Sequence, residues 1–144
     1  IHFEWYHICI ATTLKTGWNS TAATVAGGTA GTAANQFRAA YDIAIDSTRA
    51  LYIVDRDNNR IQKWPQGSSS GTTVAGSAAG TVGTTLNYFT IPRALTIDPN
   101  NNVYVADTGN HRVVLWNVSS STGTLIAGTG NLKISRQKIA LIIV

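Results

Sequence analysis

Ile45 to Trp64 reads IDSTRALYIVDRDNNRIQKW, and Ile97 to Trp116 reads IDPNNNVYVADTGNHRVVLW. The second stretch follows the first at a displacement of 52 residues and aligns with it without a gap. Asp46 matches Asp98, Tyr52 matches Tyr104, Asp55 matches Asp107, Asn58 matches Asn110, Arg60 matches Arg112 and Trp64 matches Trp116. An internal period near fifty residues is the mark of a solenoid, a propeller or an array.

Working outward, Asn35-Gln36-Phe37 stands 52 residues before Asn87-Tyr88-Phe89. Further upstream the copies differ in length: Val74-Ala75-Gly76 is three residues farther from its Asn than Val25-Ala26-Gly27 is. That difference falls in a Gly/Ala/Thr run, where a surface loop tolerates insertion. The reading divides the chain into a poorly matching segment 1–23, repeat units 24–73 and 74–125, and a remainder 126–144. In the first segment, aligning Trp18 with Trp64 sets Tyr6 opposite Tyr52 but puts Cys9 and Leu14 at the Asp and Arg positions. In the last, the repeat starts again at Thr124–Ala127, then stops: residues 131–144 match no part of the unit.

Each unit carries four candidate strands: Asp42–Asp46, Leu51–Asp55, Arg60–Trp64 and Thr72–Ala75, with their counterparts Ala94–Asp98, Val103–Asp107, Arg112–Trp116 and Thr124–Ala127. The second strands are β-branched and aromatic, and the third alternate with period two. Asx-, Gly- and Ser-rich turns separate them. No helical periodicity intrudes. Four short antiparallel strands per unit describe a propeller blade. A β-sandwich has similar turn spacing but needs no internal copy.

An apolar run ending in Asp98, then Val103-Tyr-Val-Ala-Asp107, Asn110 and Arg112-Val, resembles the NHL repeat. Pro92 fits the proline that this family carries before its first strand, where the first unit has Ala40. The resemblance spans roughly residues 24 to 130. It implies an all-β, NHL-type β-propeller fragment: two complete four-stranded blades, partial flanking blades and an open ring. Propellers close with about four to eight blades, so the remaining blades are expected in a longer chain. The absence of Met agrees with that expectation. For function the resemblance implies a platform for proteins, a platform for RNA or, in a minority, a metal-dependent lyase.

The formal net charge of +4 hints at nucleic acid. Its location argues against that: residues 18–128 hold seven Lys/Arg against six Asp. The lyase reading needs inward His and carboxylate ligands, and two units supply none. Asp55-Arg-Asp57-Asn-Asn59 opens like a calcium loop, but Arg60 and Gln66 stand at the sixth and twelfth positions in place of Gly and Glu. No nucleophile motif or phosphate loop is present. A non-catalytic protein-binding scaffold, with neither metal nor cofactor, is therefore expected. One cysteine, Cys9, excludes an internal disulfide. No apolar run approaches the ~20 residues of a membrane span.

Asp55 with Arg60, and Asp107 with Arg112, flank a hairpin in both copies. Repetition favours structural ion pairs over a binding patch. Trp64 and Trp116 are likewise expected to pack between blades rather than stack on bases. Antiparallel topology puts the loop between strands two and three on one end, together with the long connection between units. That end is expected to be the ligand face, with Arg38, Arg56, Asp57, Arg93 and His111 as candidate binding residues. The sequons at Asn19 and Asn117 fall toward the other end. Their shared place after a repeat tryptophan leans toward an extracellular setting without fixing the compartment.

Overall fold

The computed structural model describes residues 22–128, together with the backbone of Ile8–Cys9. Ten strands follow in chain order. They are β1 (Ile8–Cys9), β2 (Thr24–Ala26), β3 (Ala40–Ile45), β4 (Leu51–Asp55), β5 (Arg60–Trp64) and β6 (Thr72–Gly76). β7 (Pro92–Ile97), β8 (Val103–Asp107), β9 (Arg112–Trp116) and β10 (Thr124–Ala127) complete the set. They form two four-stranded antiparallel sheets, β3-β4-β5-β6 and β7-β8-β9-β10, and a two-stranded sheet β1-β2. Among the described residues the sheets do not close into a ring. The first strands of the two larger sheets lie side by side: the Asp42 carboxylate in β3 accepts the Leu95 amide of β7 at 3.0 Å. This is the arrangement of consecutive propeller blades.

Strand β4 is buried on both faces because its sheet is covered on both sides, and β8 is buried except at Tyr104, which is half-buried. Tyr52, Val54, Ile61 and Ala75 of one blade meet Phe89, Val103, Val105, Val114 and Trp116 of the next. On the far face of the first blade, Leu51, Ile53 and Trp64 pack with Ala26 and Phe37. Phe37 against Trp64 and Phe89 against Trp116 hold nearly the same separation, with ring centroids 5.4 and 5.5 Å apart. The interval of 52 residues is thus a rigid repeat of packing as well as of sequence.

Two expectations need correction. The first strands begin at Ala40 and Pro92, before the expected Asp42 and Ala94, and end before Asp46 and Asp98. Those aspartates instead close the following turn: Asp46 Oδ1 accepts the amides of Thr48 and Ala50, and Asp98 Oδ1 those of Asn100 and Asn102. The sheets run 40–76 and 92–127, and the repeat units 24–73 and 74–125 open on β2 and β6, each the outer strand of the sheet before. Last, Ile8–Cys9 does not occupy a second-strand place. Ile8 pairs with Ala26 and Cys9 with Thr24, just as Ile61 pairs with Ala75 and Gln62 with Thr73. Hydrogen-bond register with β2 makes β1 a third strand; the tryptophan match had misplaced it. Trp18, Asn19 and residues 129–144 lie outside the described residues.

The three extra residues in the second inter-blade connection are taken up around the four-residue turn Ser77–Gly80, where the Gly80 amide donates to the Ser77 carbonyl. Beyond it the two connections coincide. Gly31 donates to Phe37 and Gln36 to Ala33, as Gly83 donates to Phe89 and Tyr88 to Thr85.

Phe89→Ala empties a fully buried ring site between the blades. It should cost about 3–5 kcal/mol in urea unfolding, whereas Ile126→Ala on the exposed outer strand should change stability by less than about 0.5 kcal/mol. Acid should also weaken the fold. Burial opposes ionisation of Asp46, but the Thr48 hydroxyl, the Lys63 ammonium and the amides of Ala50 and Thr48 outweigh it and hold the carboxyl well below the usual carboxylate range. A folded-state pKa below the unfolded one adds stability that is complete above about pH 4 and drains away as pH falls further. Asp46→Asn should flatten that acid limb of a stability-against-pH curve.

Candidate functional site

The loop end of the blades is built on a buried carboxylate. Asp55, at the end of β4, is fully buried. Its Oδ1 accepts the Arg38 amide at 2.9 Å, and its Oδ2 accepts Asn58 Nδ2 and Arg60 Nε, both at 2.8 Å. Asp107 repeats the set with the Thr90 amide, Asn110 Nδ2 and Arg112 Nε at 2.7–2.8 Å. Each arginine then turns its remaining donors onto the connecting loop. Arg60 reaches the carbonyls of Ala33 and Gln36 in the connection before its blade and of Ala78 in the one after it. Arg112 reaches those of Thr84, Thr85 and Tyr88. Asn58 and Asn110 add the carbonyls of Gly31 and Gly83. The repeated Asp, Asn and Arg therefore form one clip that fastens the inter-blade connection to the β4–β5 or β8–β9 hairpin. Sequence reasoning weighed the Asp–Arg pair alone and missed the asparagine, although its match at 52 residues was visible.

Both hairpins contain a short 3-10 turn, Arg56–Asn58 and Thr108–Asn110. Each ends on a left-handed residue, Asn59 at φ 50° and His111 at φ 53°. Asn and His are among the side chains that tolerate that conformation. In the second copy Gly109 stands where the first has Asp57. The Gly109 amide lies 2.7 Å from the Thr90 carbonyl, and a Cβ there would come within 2.4 Å of that oxygen. Asp57 in the first copy is half-exposed.

The candidate binding residues do not all converge. Arg56 and Arg93 share the ring of Tyr41, their Cζ atoms 5.5 and 5.8 Å from its centroid. Arg56 Nη1 also donates to Asp57 Oδ1 at 2.9 Å. Arg38 lies exposed in the same connection that Asp55 anchors. His111 caps the turn of the next blade, and no hydrogen bond or ion pair among the described residues links it to this cluster. Tyr41 was overlooked in the sequence. The signal is that Tyr41 and Arg93 occupy one repeat position, displaced by 52. The strand register slips there in both copies, between Ala40 and Ile43 and between Pro92 and Ala94. Such bulges re-aim a side chain.

The opposite end differs in character. It carries the Asp46–Lys63–Tyr52 network, with Lys63 Nζ 2.9 Å from both Asp46 Oδ2 and the Tyr52 hydroxyl. Asn117 is exposed there, beginning the turn whose Ser120 amide returns to its carbonyl. An apolar cleft of about 250 Å³, lined by Val25, Ile45, Leu51 and Trp64, opens on the same side of the molecule. Among the described residues no three His, Cys, Asp or Glu side chains gather as metal ligands. No helix among them is long and apolar enough to cross a membrane.

With this geometry in hand, the comparison with protein families is specific: residues 89–114 match the model of the NHL repeat. The match begins at the buried Phe89 and runs through the clip residues Asp107, Asn110 and Arg112. The match covers one repeat and is consistent with the resemblance of the sequence; the two four-stranded antiparallel sheets are consistent with a fragment of a β-propeller. No curated protein matches the chain.

Removal of Arg112 should show what the clip contributes. Burial pushes the Asp107 carboxyl up, while the Thr90 amide, Asn110 and Arg112 pull it down. Arg112→Ala leaves that carboxylate without its cation, at an expected loss of about 3–5 kcal/mol. Without the guanidinium, the folded-state pKa rises further above the unfolded one. Stability is then regained below that pKa and lost above it. The deficit relative to the parent chain should therefore shrink in denaturant unfolding as pH is lowered from 7 to 5.

Proposed function

We propose that the chain is a non-catalytic protein-interaction module of an NHL-type propeller, binding through the end that carries Arg38, Arg56, Asp57 and Arg93. One observation carries this reading. The residues that repeat are engaged in internal bonds, while Tyr41, Arg56 and Asp57 are replaced by Arg93, Thr108 and Gly109 in the second copy. Replacement at equivalent places on an otherwise fixed frame is how a rigid scaffold acquires a particular ligand face. His111 extends the same end onto the next blade.

An RNA platform is less well supported. Non-specific binding of a phosphate chain wants a continuous basic groove with aromatic platforms, and here Asp57 sits within the basic cluster. Trp64 and Trp116, the sequence's best stacking candidates, are buried between blades. A lyase would need a metal-ligand set contributed by several blades.

Panning a displayed random-peptide library against the chain tests the module. Selected binders should perturb amide NMR signals of residues 38–41, 56–59, 91–93 and 108–111. Perturbation confined to 46–50, 98–102 and 117–120 would assign binding to the wrong end and sink the proposal.

A further inference from the structure

Of the seven Lys/Arg side chains in the described region, three are held by several internal acceptors. Arg60 and Arg112 use Nε on an aspartate and their Nη groups on loop carbonyls, and Lys63 is held by Asp46 and Tyr52. The cluster around Tyr41 is different. Neither Arg56 Nε nor Arg93 Nε meets an acceptor, although both atoms are shielded from solvent. Arg93 donates no side-chain hydrogen bond at all among the described residues, and Arg56 makes one, to Asp57.

We propose that Arg56 and Arg93, set on the Tyr41 ring, form a carboxylate-binding site that takes an acidic side chain of a peptide partner. The inference rests on the reading of this end as the ligand face and adds the chemistry of what it holds. A guanidinium held over an aromatic ring by its cation–π attraction spends no N–H donor on that contact. Its in-plane N–H fork is the geometry that matches a carboxylate with two parallel hydrogen bonds. Two such forks share one ring here, one from the β4–β5 hairpin and one from the first strand of the next blade. Asp57 already demonstrates the chemistry, because its carboxylate takes Arg56 Nη1 at 2.9 Å from an exposed position. An exposed pair of that kind is weak and exchangeable, so an incoming carboxylate can displace it. None of these residues belongs to the clip, and none is repeated in the second blade, so the fold does not require them.

A carboxylate fits better than a phosphate chain. Between residues 18 and 128 seven Lys/Arg face six Asp, and one of those aspartates lies inside the cluster. A polyanion would meet that charge; a single acidic side chain replaces it.

The test follows the arginine Nε–H signals of the whole 15N-labelled chain by NMR. The probes are an end-blocked glycine-rich peptide carrying one glutamate, its glutamine counterpart and hexauridylate. The glutamate peptide should shift the Arg56 and Arg93 signals saturably, and the glutamine peptide should not. Arg93→Gln should weaken binding by about tenfold or more, and Arg93→Lys should weaken it nearly as far because charge without the fork is insufficient. Asp57→Asn should strengthen binding about two- to fivefold by removing the internal competitor, an effect that a purely structural residue would not produce. Should Arg93→Gln fail to fold, the Lys and Asn variants decide the matter. The proposal is overturned by unsaturable or absent shifts at these two signals, by indifference to the Arg93 substitutions, or by tighter binding of hexauridylate. Library binders that map to this end but carry no acidic residue would remove the carboxylate site and leave the interaction module standing.

Discussion

Everything at the loop end depends on two buried carboxylates, Asp55 and Asp107. Each is sealed from water, and each oxygen is occupied by donors from the chain. Burying a charge is tolerable only when it is paired and hydrogen-bonded. That requirement explains why Asp, Asn and Arg repeat together. The carboxylate needs the guanidinium, and the guanidinium needs the loop carbonyls to use its other donors. Asn58 or Asn110 ties the same carboxylate to a glycine carbonyl farther along. Loosening one member strands the others in a dry site, so the clip, the hairpin and the inter-blade connection stand or fall as a unit.

The apolar contacts have a comparable logic. Each blade is too thin to bury its own faces, and neighbours do it for each other. Phe37 and Phe89 are the connection's contribution, each resting on the tryptophan that ends the third strand. The clip brings the connection to the blade edge, and the phenylalanine then fills the space between blades. Polar and apolar forces thereby act on the same dozen residues from opposite sides.

The second and third strands were legible to the residue, because the second ends on Asp, the third runs from Arg to Trp, and each has a copy to check against. The first strands were read two residues short. Their opening residues, Ala40-Tyr41 and Pro92-Arg93, contain a bulge, and a slipped register erases the alternation on which a strand is recognised. The 3-10 turns were hidden for a similar reason: three residues are too few to show a period. β1 was misplaced because an aromatic match carried more weight in the alignment than hydrogen-bond register, which a sequence does not display. Of the site, the arginines were visible as charges that fail to repeat. Tyr41 was not, since a tyrosine in a strand is ordinary until its neighbours are known to be two guanidinium groups from different blades.

The clip touches the connecting loops through main-chain atoms: the carbonyls of Gly31, Ala33, Gln36, Ala78, Gly83, Thr84, Thr85 and Tyr88, and the amides of Arg38 and Thr90. A fastening that grips peptide groups is blind to which side chains they bear. The loops are then held in shape while their sequence is released from the duty of holding it. The connection before the second blade has already absorbed three extra residues on those terms. New surface chemistry can be written there one residue at a time, without renegotiating the fold.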